Sequence, residues 1–358
     1  MAKKCKPFRV AVIGCDAAAE GHIAALIAAP ETKLVAFCDM DKAKVKAFRK
    51  KYKIRRGYTN YMRMLRPRLF GRRIDAVHVC LPNTSRAAIA GYCLLKKRHV
   101  MIEPPMALDL AAVEDAIKNA DYMGKNCGVL LPARASATAA YVKEILASGR
   151  LGRILSARTV ISAAAPLSIA QLYDEGSAAK TTGSLLFGFA APAIDLVDGF
   201  IGDEVVKLSC SMANRAHAGE DSADSTEGVI TYAGGVKHSF YCTSNYENGG
   251  SAQISLLCEG GEVVFDSADA RVTYADGTGD AMHDENPAMG CLDEVREFYT
   301  ACREGSVPQT DARTALRLHK ILLALYTDAT MAKAEKEALA SDKATAAEPL
   351  PKKQRLWY

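Results

Sequence analysis

Through the first 130 residues, short apolar runs alternate with segments of helical period. The runs FRVAVIG, KLVAFCD, IDAVHVCL, HVMIE and CGVLL read as strands buried on both faces. Between them, Ala17 to Ala29, Asp41 to Tyr52, Thr84 to Leu95 and Leu108 to Met123 have helix-forming composition, with Asn83 as a plausible cap. Strand and helix in this rhythm predict a doubly wound α/β domain with a parallel sheet. Past residue 150 the grammar changes. ILSARTVIS, EVVKLSCSM, GVITYAGGVKHSFYCTS, QISLLCEGGEVVF and ARVTYAD alternate apolar and polar residues, as an open and mostly antiparallel sheet requires. Gly234-Gly235 and Gly260-Gly261 stand where hairpin turns call for positive φ. Two helical segments, Cys291 to Cys302 and Asp311 to Ala332, close this α+β part. The pattern divides the chain into a first domain at 1–128, a second at 129–332 and an Ala/Lys-rich tail at 333–358 ending in Trp357 and Tyr358.

Composition narrows the class. At 49% hydrophobic and 24% charged residues, the 358-residue chain can bury enough apolar surface to order itself. Its longest apolar stretches fall far short of a bilayer span, and only four apolar residues lie between Arg9 and Gly14, too few for a signal h-region. The eleven cysteines form no CxxC pair, and the seven histidines show no metal spacing. The expectation is a cytoplasmic protein with reduced thiols and no metal.

Charge is lopsided. Residues 1–100 hold 23 Lys and Arg against 6 acids, and the remainder holds 23 against 35, for a net charge of +5. From Lys42 to Arg73 there are 14 basic residues and no acid. That field suits an acidic protein or another anionic partner; nucleic acid is the weaker candidate, because no stacking pattern accompanies it beyond Tyr52, Tyr58 and Tyr61.

The chemistry concentrates where the first strand ends. Gly14-Cys15-Asp16-Ala17-Ala18-Ala19 leads into a helix, and Asp39 closes the second strand 25 residues after Gly14. A strand, a glycine turn, a helix and a later acid make up the dinucleotide fingerprint of the Rossmann fold, the helix receiving pyrophosphate and the acid the ribose hydroxyls. Asp39 also reads as a strand-end cap for the following helix. Asp16 occupies the second glycine position, where a carboxylate opposes phosphate or caps the helix itself.

These residues resemble the Gfo/Idh/MocA oxidoreductases, named for glucose–fructose oxidoreductase and inositol dehydrogenase. The resemblance rests on VAVIGC with Asp39, IDAVHVCLPN, HVMIEPPMAL, ASGRLGRILSAR and TGSLLFGFAAPAIDLVDGFIG, and covers nearly the whole chain. It implies an amino-terminal Rossmann domain, a carboxy-terminal open sheet for substrate and homo-oligomer contacts, and NAD(P)-linked chemistry on sugars or polyols. It also implies cofactor contacts from Gly14, Asp16, Ala17, Ala18, Asp39, Leu81, Asn83 and Glu103. The family's catalytic lysine, aspartate and histidine fall on Pro104, Gly188 and Pro192, none of which can move a proton. Arg86 stands where many relatives have histidine. Compensation would have to come from Lys180, Tyr173 or Arg134. Two readings follow: a non-catalytic binding or assembly protein on an oxidoreductase scaffold, with NAD(P) binding weakened or lost, or a divergent NAD(P)-dependent oxidoreductase.

Overall fold

The computed structural model describes residues 6–66, 73–81, 83–107, 109–162, 185–215, 223–245, 250–287 and 289–346. The first domain is a six-stranded parallel sheet of β1 (Phe8–Ile13), β2 (Thr32–Cys38), β3 (Arg56–Tyr58), β4 (Ala76–Val79), β5 (His99–Ile102) and β6 (Cys127–Val129), in the order β3-β2-β1-β4-β5-β6. Helices α1 (Ala17–Ala28), α2 (Lys42–Lys51), α3 (Tyr61–Leu65), α4 (Asn83–Leu95) and α5 (Leu110–Met123) make the crossovers. Strands β4 and β5 are buried at every position, which is why they read as apolar runs but for His78 and His99.

The local signals act as their chemistry dictates. Asp41 caps α2, its carboxylate accepting from the backbone N of Ala43 at 2.6 Å. Asp109 caps α5 in the same way, and Gly124 ends that helix in the left-handed conformation. The basic run is a solvated face along α2, where Val45 alone is buried; residues 67–72 of it lie outside the described residues.

The second domain follows α6 (Ala137–Ala147). Its eight-stranded sheet contains β7 (Ile154–Ser162), β8 (Val205–Ala213), β9 (Ser225–Tyr232), β10 (Lys237–Thr243), β11 (Ser251–Cys258), β12 (Gly261–Phe265), β13 (Asp269–Tyr274) and β14 (Gly279–His283). The order is β14-β13-β12-β11-β7-β10-β9-β8, antiparallel throughout except for the parallel pair β7 and β10. Strand β13 alternates exposed and buried residues, so among the described residues one face of this strand is open to solvent. Of the two predicted glycine turns, only the second glycine in each takes positive φ, Gly235 at 86° and Gly261 at 149°. Two-residue turns with both glycines left-handed are therefore not what joins these strands.

The chain then comes back. Helix α7 (Ala191–Ile201) follows a π-turn at Leu185–Ala190, and α8 (Met289–Glu304) packs against α1 of the first domain. Val295, Phe298 and Tyr299 of α8 share a core with Val10, Ile23 and Leu26. A closing helix placed by its position in the chain with the second sheet thus completes the first domain. The last helix, α9 (Ala312–Ala346), packs on β8 and runs past residue 332, well into the segment set apart as a tail. Its Ala-rich composition propagates a helix without needing an apolar face at every turn. Trp357 and Tyr358 lie outside the described residues.

Candidate functional site

The glycine turn sits at the carboxyl end of β1. Gly14 has φ of 100° and donates its N–H to the Cys38 carbonyl at 2.8 Å. A Cβ there would stand 1.8 Å from the Cys80 carbonyl oxygen, so neighbouring backbone as well as φ demands glycine. The Cys15 N–H donates to Asp39 Oδ2 at 2.8 Å, and the Asp41 N–H donates to Asp39 Oδ1 at 2.9 Å. Asp39 therefore ties the end of β2 to the turn after β1, while the cap of α2 is Asp41. The capping alternative for Asp39 is corrected on that point: the chain has a second aspartate two residues on, better placed for the helix N–H groups. Asp16 marks the start of α1, where the Ala19 N–H donates to its carbonyl at 3.2 Å; Ala17 and Ala18 form the first turn. Burial first, and then the charge of Asp39, pushes the thiols of Cys15 and Cys38 up to about 12, so neither is a nucleophile near neutral pH.

Behind this turn lies a buried polar chain. Glu103, just after β5, accepts from Arg86 Nη2 of α4 at 2.9 Å. The same guanidinium donates through Nη1 to the carbonyls of Pro104 at 3.1 Å and Pro105 at 3.0 Å, and through Nε to the carbonyl of Leu81. On its other side Glu103 faces His22 Nε2 of α1 at 3.4 Å, a loose ion-pair distance. His22 Nδ1 lies 2.8 Å from His78 Nδ1 of β4, and His78 Nε2 lies 2.9 Å from the Tyr299 hydroxyl of α8. Burial opposes the Glu103 carboxylate, yet facing His22 and Arg86 outweigh it and hold its pKa below the ordinary carboxylate value. Burial, with His22 adding to it, drives the His78 pKa far below that of a free imidazole, so that ring is neutral.

This grouping also brings one ligand atom each from His22, Cys80 and Glu103 within 4.8 Å of one another. Three separate parts of the chain converge here, on a place that sequence spacing could not show. Two features oppose a cation in it. Burial and the Glu103 charge raise the Cys80 pKa well above that of a free thiol, and the Arg86 guanidinium already occupies Glu103.

The resemblance assigns the family's catalytic residues to three positions among the described residues. Pro104 follows Glu103, Gly188 falls in the π-turn and Pro192 is the second residue of α7. Arg134, on the short 3₁₀ turn Pro132–Ala135, is not available to replace them, since its Nε and Nη2 each bond an oxygen of buried Asp195 at 2.5 Å. Lys180 and Tyr173 lie outside the described residues. Leu81 contributes its carbonyl to Arg86, and Asn83 is the first residue of α4. Sequence reasoning missed Glu294 of α8, which accepts from the Leu131 N–H at 2.7 Å and whose pKa burial pushes up to about 8. Nothing local marks it, because its partners lie in the crossing between domains.

Residues 8–131 match the model described as an oxidoreductase family with an NAD-binding Rossmann fold, Gfo/Idh/MocA, and residues 139–264 match the Gfo/Idh/MocA C-terminal domain. Among curated proteins, the chain is 29% identical over 161 residues to an uncharacterized oxidoreductase of Rhizobium meliloti, covering 43% of this chain and 45% of that one. It is 24% identical over 232 residues to trans-1,2-dihydrobenzene-1,2-diol dehydrogenase of Sus scrofa, covering 64% and 65%. The chain thus spans less than two thirds of either relative's length. Among solved structures, an oxidoreductase from Agrobacterium radiobacter in complex with NAD+, L-tartaric acid and magnesium superposes with a TM-score of 0.79 at 17% identity, covering 91% of this chain and 97% of that one. The myo-inositol 2-dehydrogenase of Lactobacillus plantarum superposes with a TM-score of 0.77 at 20% identity, covering 91% and 98%. At these identities the superpositions establish the fold.

Proposed function

Because the chain belongs to the Gfo/Idh/MocA oxidoreductase family, with its NAD-binding Rossmann domain, we propose that it keeps the scaffold as a binding or assembly protein and has lost the family's proton-transfer chemistry. One observation carries the reading. The Arg86 guanidinium bonds Glu103 and the carbonyls of Leu81, Pro104 and Pro105, stapling together the segment in which relatives of this resemblance place a lysine. A guanidinium stays protonated throughout the physiological range and cannot serve as a base.

The fit to NAD(P) is divided. Gly14 and Asp39 provide the turn and the acid that suit the adenosine half of a dinucleotide. Asp16 adds a negative charge at the start of α1, where the pyrophosphate would lie. Binding is therefore weak at the phosphates, and no hydride step is derived through the cofactor. Self-association through the open face of the second sheet, and an acidic partner for the basic face of α2, belong to the same proposal.

A second reading, a divergent NAD(P)-dependent oxidoreductase acting on a sugar, polyol or related small molecule, draws its support from the Cys15–Asp39 bond, which holds an acid beside the turn. The two separate in one pair of assays. NADH and NADPH fluorescence titration should show no saturation below millimolar cofactor, and hydride transfer with myo-inositol should stay at background. Turnover in the ordinary dehydrogenase range of roughly 1 s⁻¹ or more would overturn the binding-protein reading.

A further inference from the structure

At the opposite end of the parallel sheet from the glycine turn, the amino-terminal ends of β1 and β5 open into a groove of about 600 Å³. The length of β1 separates the two places, about 20 Å for six residues of strand. Six cations line the groove: Lys6, Arg73, Lys97, Arg98, Lys125 and Arg303. Its single carboxylate, Asp75, accepts the Arg9 backbone N–H at 2.9 Å. Among the described residues, none of the six is ion-paired with a carboxylate.

Arg98 makes the arrangement more than a crowded surface. It is 5% exposed, its Nε has no hydrogen-bond partner among the described residues, and its Nη1 reaches only the Lys97 carbonyl at 3.3 Å. Burial first, and then repulsion from Arg73, lowers its pKa to about 10. His99 adds no charge, since burial and Lys125 lower its pKa to about 4. Asp75 acts on Arg98 through its charge but accepts no hydrogen bond from it, and a buried guanidinium with an unpaired Nε–H carries a cost that an arriving phosphate lowers by accepting from the fork. We propose that this groove binds a small polyphosphate anion, with Arg98 at its floor and Arg73, Lys97 and Lys125 around it. The cavity has the size of a small-molecule site, and a chain of two or more phosphates matches several converging cations better than one phosphate does. The proposal stands independently of the dinucleotide reading, because it involves no residue of the Gly14 turn.

The test is calorimetric titration of the full chain with inorganic pyrophosphate and with orthophosphate at about 50 mM salt. Pyrophosphate should bind at least about tenfold more tightly than orthophosphate, and its affinity should fall steeply as salt rises. The double change Arg73→Gln with Lys125→Gln should weaken pyrophosphate binding about tenfold or more, and Arg98→Met should weaken it at least as much. If Arg98→Met fails to fold, the Arg73 and Lys125 double variant still decides. Equal affinity for the two anions, no binding at millimolar pyrophosphate, or unchanged affinity in the variants would overturn the proposal. So would displacement of pyrophosphate by a duplex oligonucleotide that binds more tightly, which would assign the groove to nucleic acid.

Discussion

Replacing Glu294 by glutamine should change how the stability of this protein depends on pH. The carboxyl is buried where α8 meets the end of β6; one oxygen accepts from the Leu131 N–H at 2.7 Å, and burial raises its pKa from 4.5 to about 8. Between those values the native state holds a proton that the unfolded chain has released. The native state binds more protons there, so this group makes stability fall as pH rises, by at most about 1.4 kcal/mol per pH unit. Across the whole window the ceiling is about 5 kcal/mol, fully expressed only above the folded pKa. Glutamine keeps the size and the acceptor for Leu131 and removes the titration. In urea unfolding followed from pH 5 to 8.5, wild type should lose stability relative to Glu294→Gln, with the gap reaching several kcal/mol at the upper end. Parallel profiles for the two proteins would refute the argument, since they would mean that Glu294 titrates alike in the folded and unfolded states.

Three further outcomes follow from the same geometry. Gly14→Ala should destabilise the first domain by about 3 kcal/mol or more, because the added carbon would lie 1.8 Å from the Cys80 carbonyl oxygen at a φ of 100°; a melting curve that matches wild type would contradict it. Arg134→Met should cost about 3 to 5 kcal/mol by stranding Asp195, which is 4% exposed, and a second change of Asp195→Leu should restore part of that; denaturant midpoints of the single and double variants check it. Asp16→Gly removes a like-charge interaction worth at most about 4 kcal/mol with phosphate at 4 Å. Because Asp16 is partly exposed, screening should bring the gain in NADH affinity to about tenfold to a hundredfold, and an unchanged titration would sink the repulsion argument.

Much of the first domain was legible in the chain because β1, β2, β4 and β5 are buried along most of their length, and a strand shielded on both faces has to be mostly apolar. β3, with the sequence Arg56-Gly57-Tyr58, carries no such run, and β14 has one half-buried residue among exposed ones, so both escaped notice. Helices α3 and α6 escaped as well; α3 has only five residues and lies inside the basic run, where charge hides the period. The glycine turn and Asp39 could be found from the sequence, since motif spacing records which residues share one turn or one strand end.

What surrounds those positions was decided by folding. His22 meets His78 across 56 residues, and His78 meets Tyr299 across 221, so no local pattern could pair them. Arg98 and Lys125 read alike in the chain as cationic residues beside strands, yet only Arg98 is buried, with an unpaired Nε. Sequence alone determined which segments must leave water, because transfer of apolar groups depends on their composition and period. The pairing, burial and protonation of the polar groups depend on distances between elements far apart in the chain, and only the tertiary structure sets those distances.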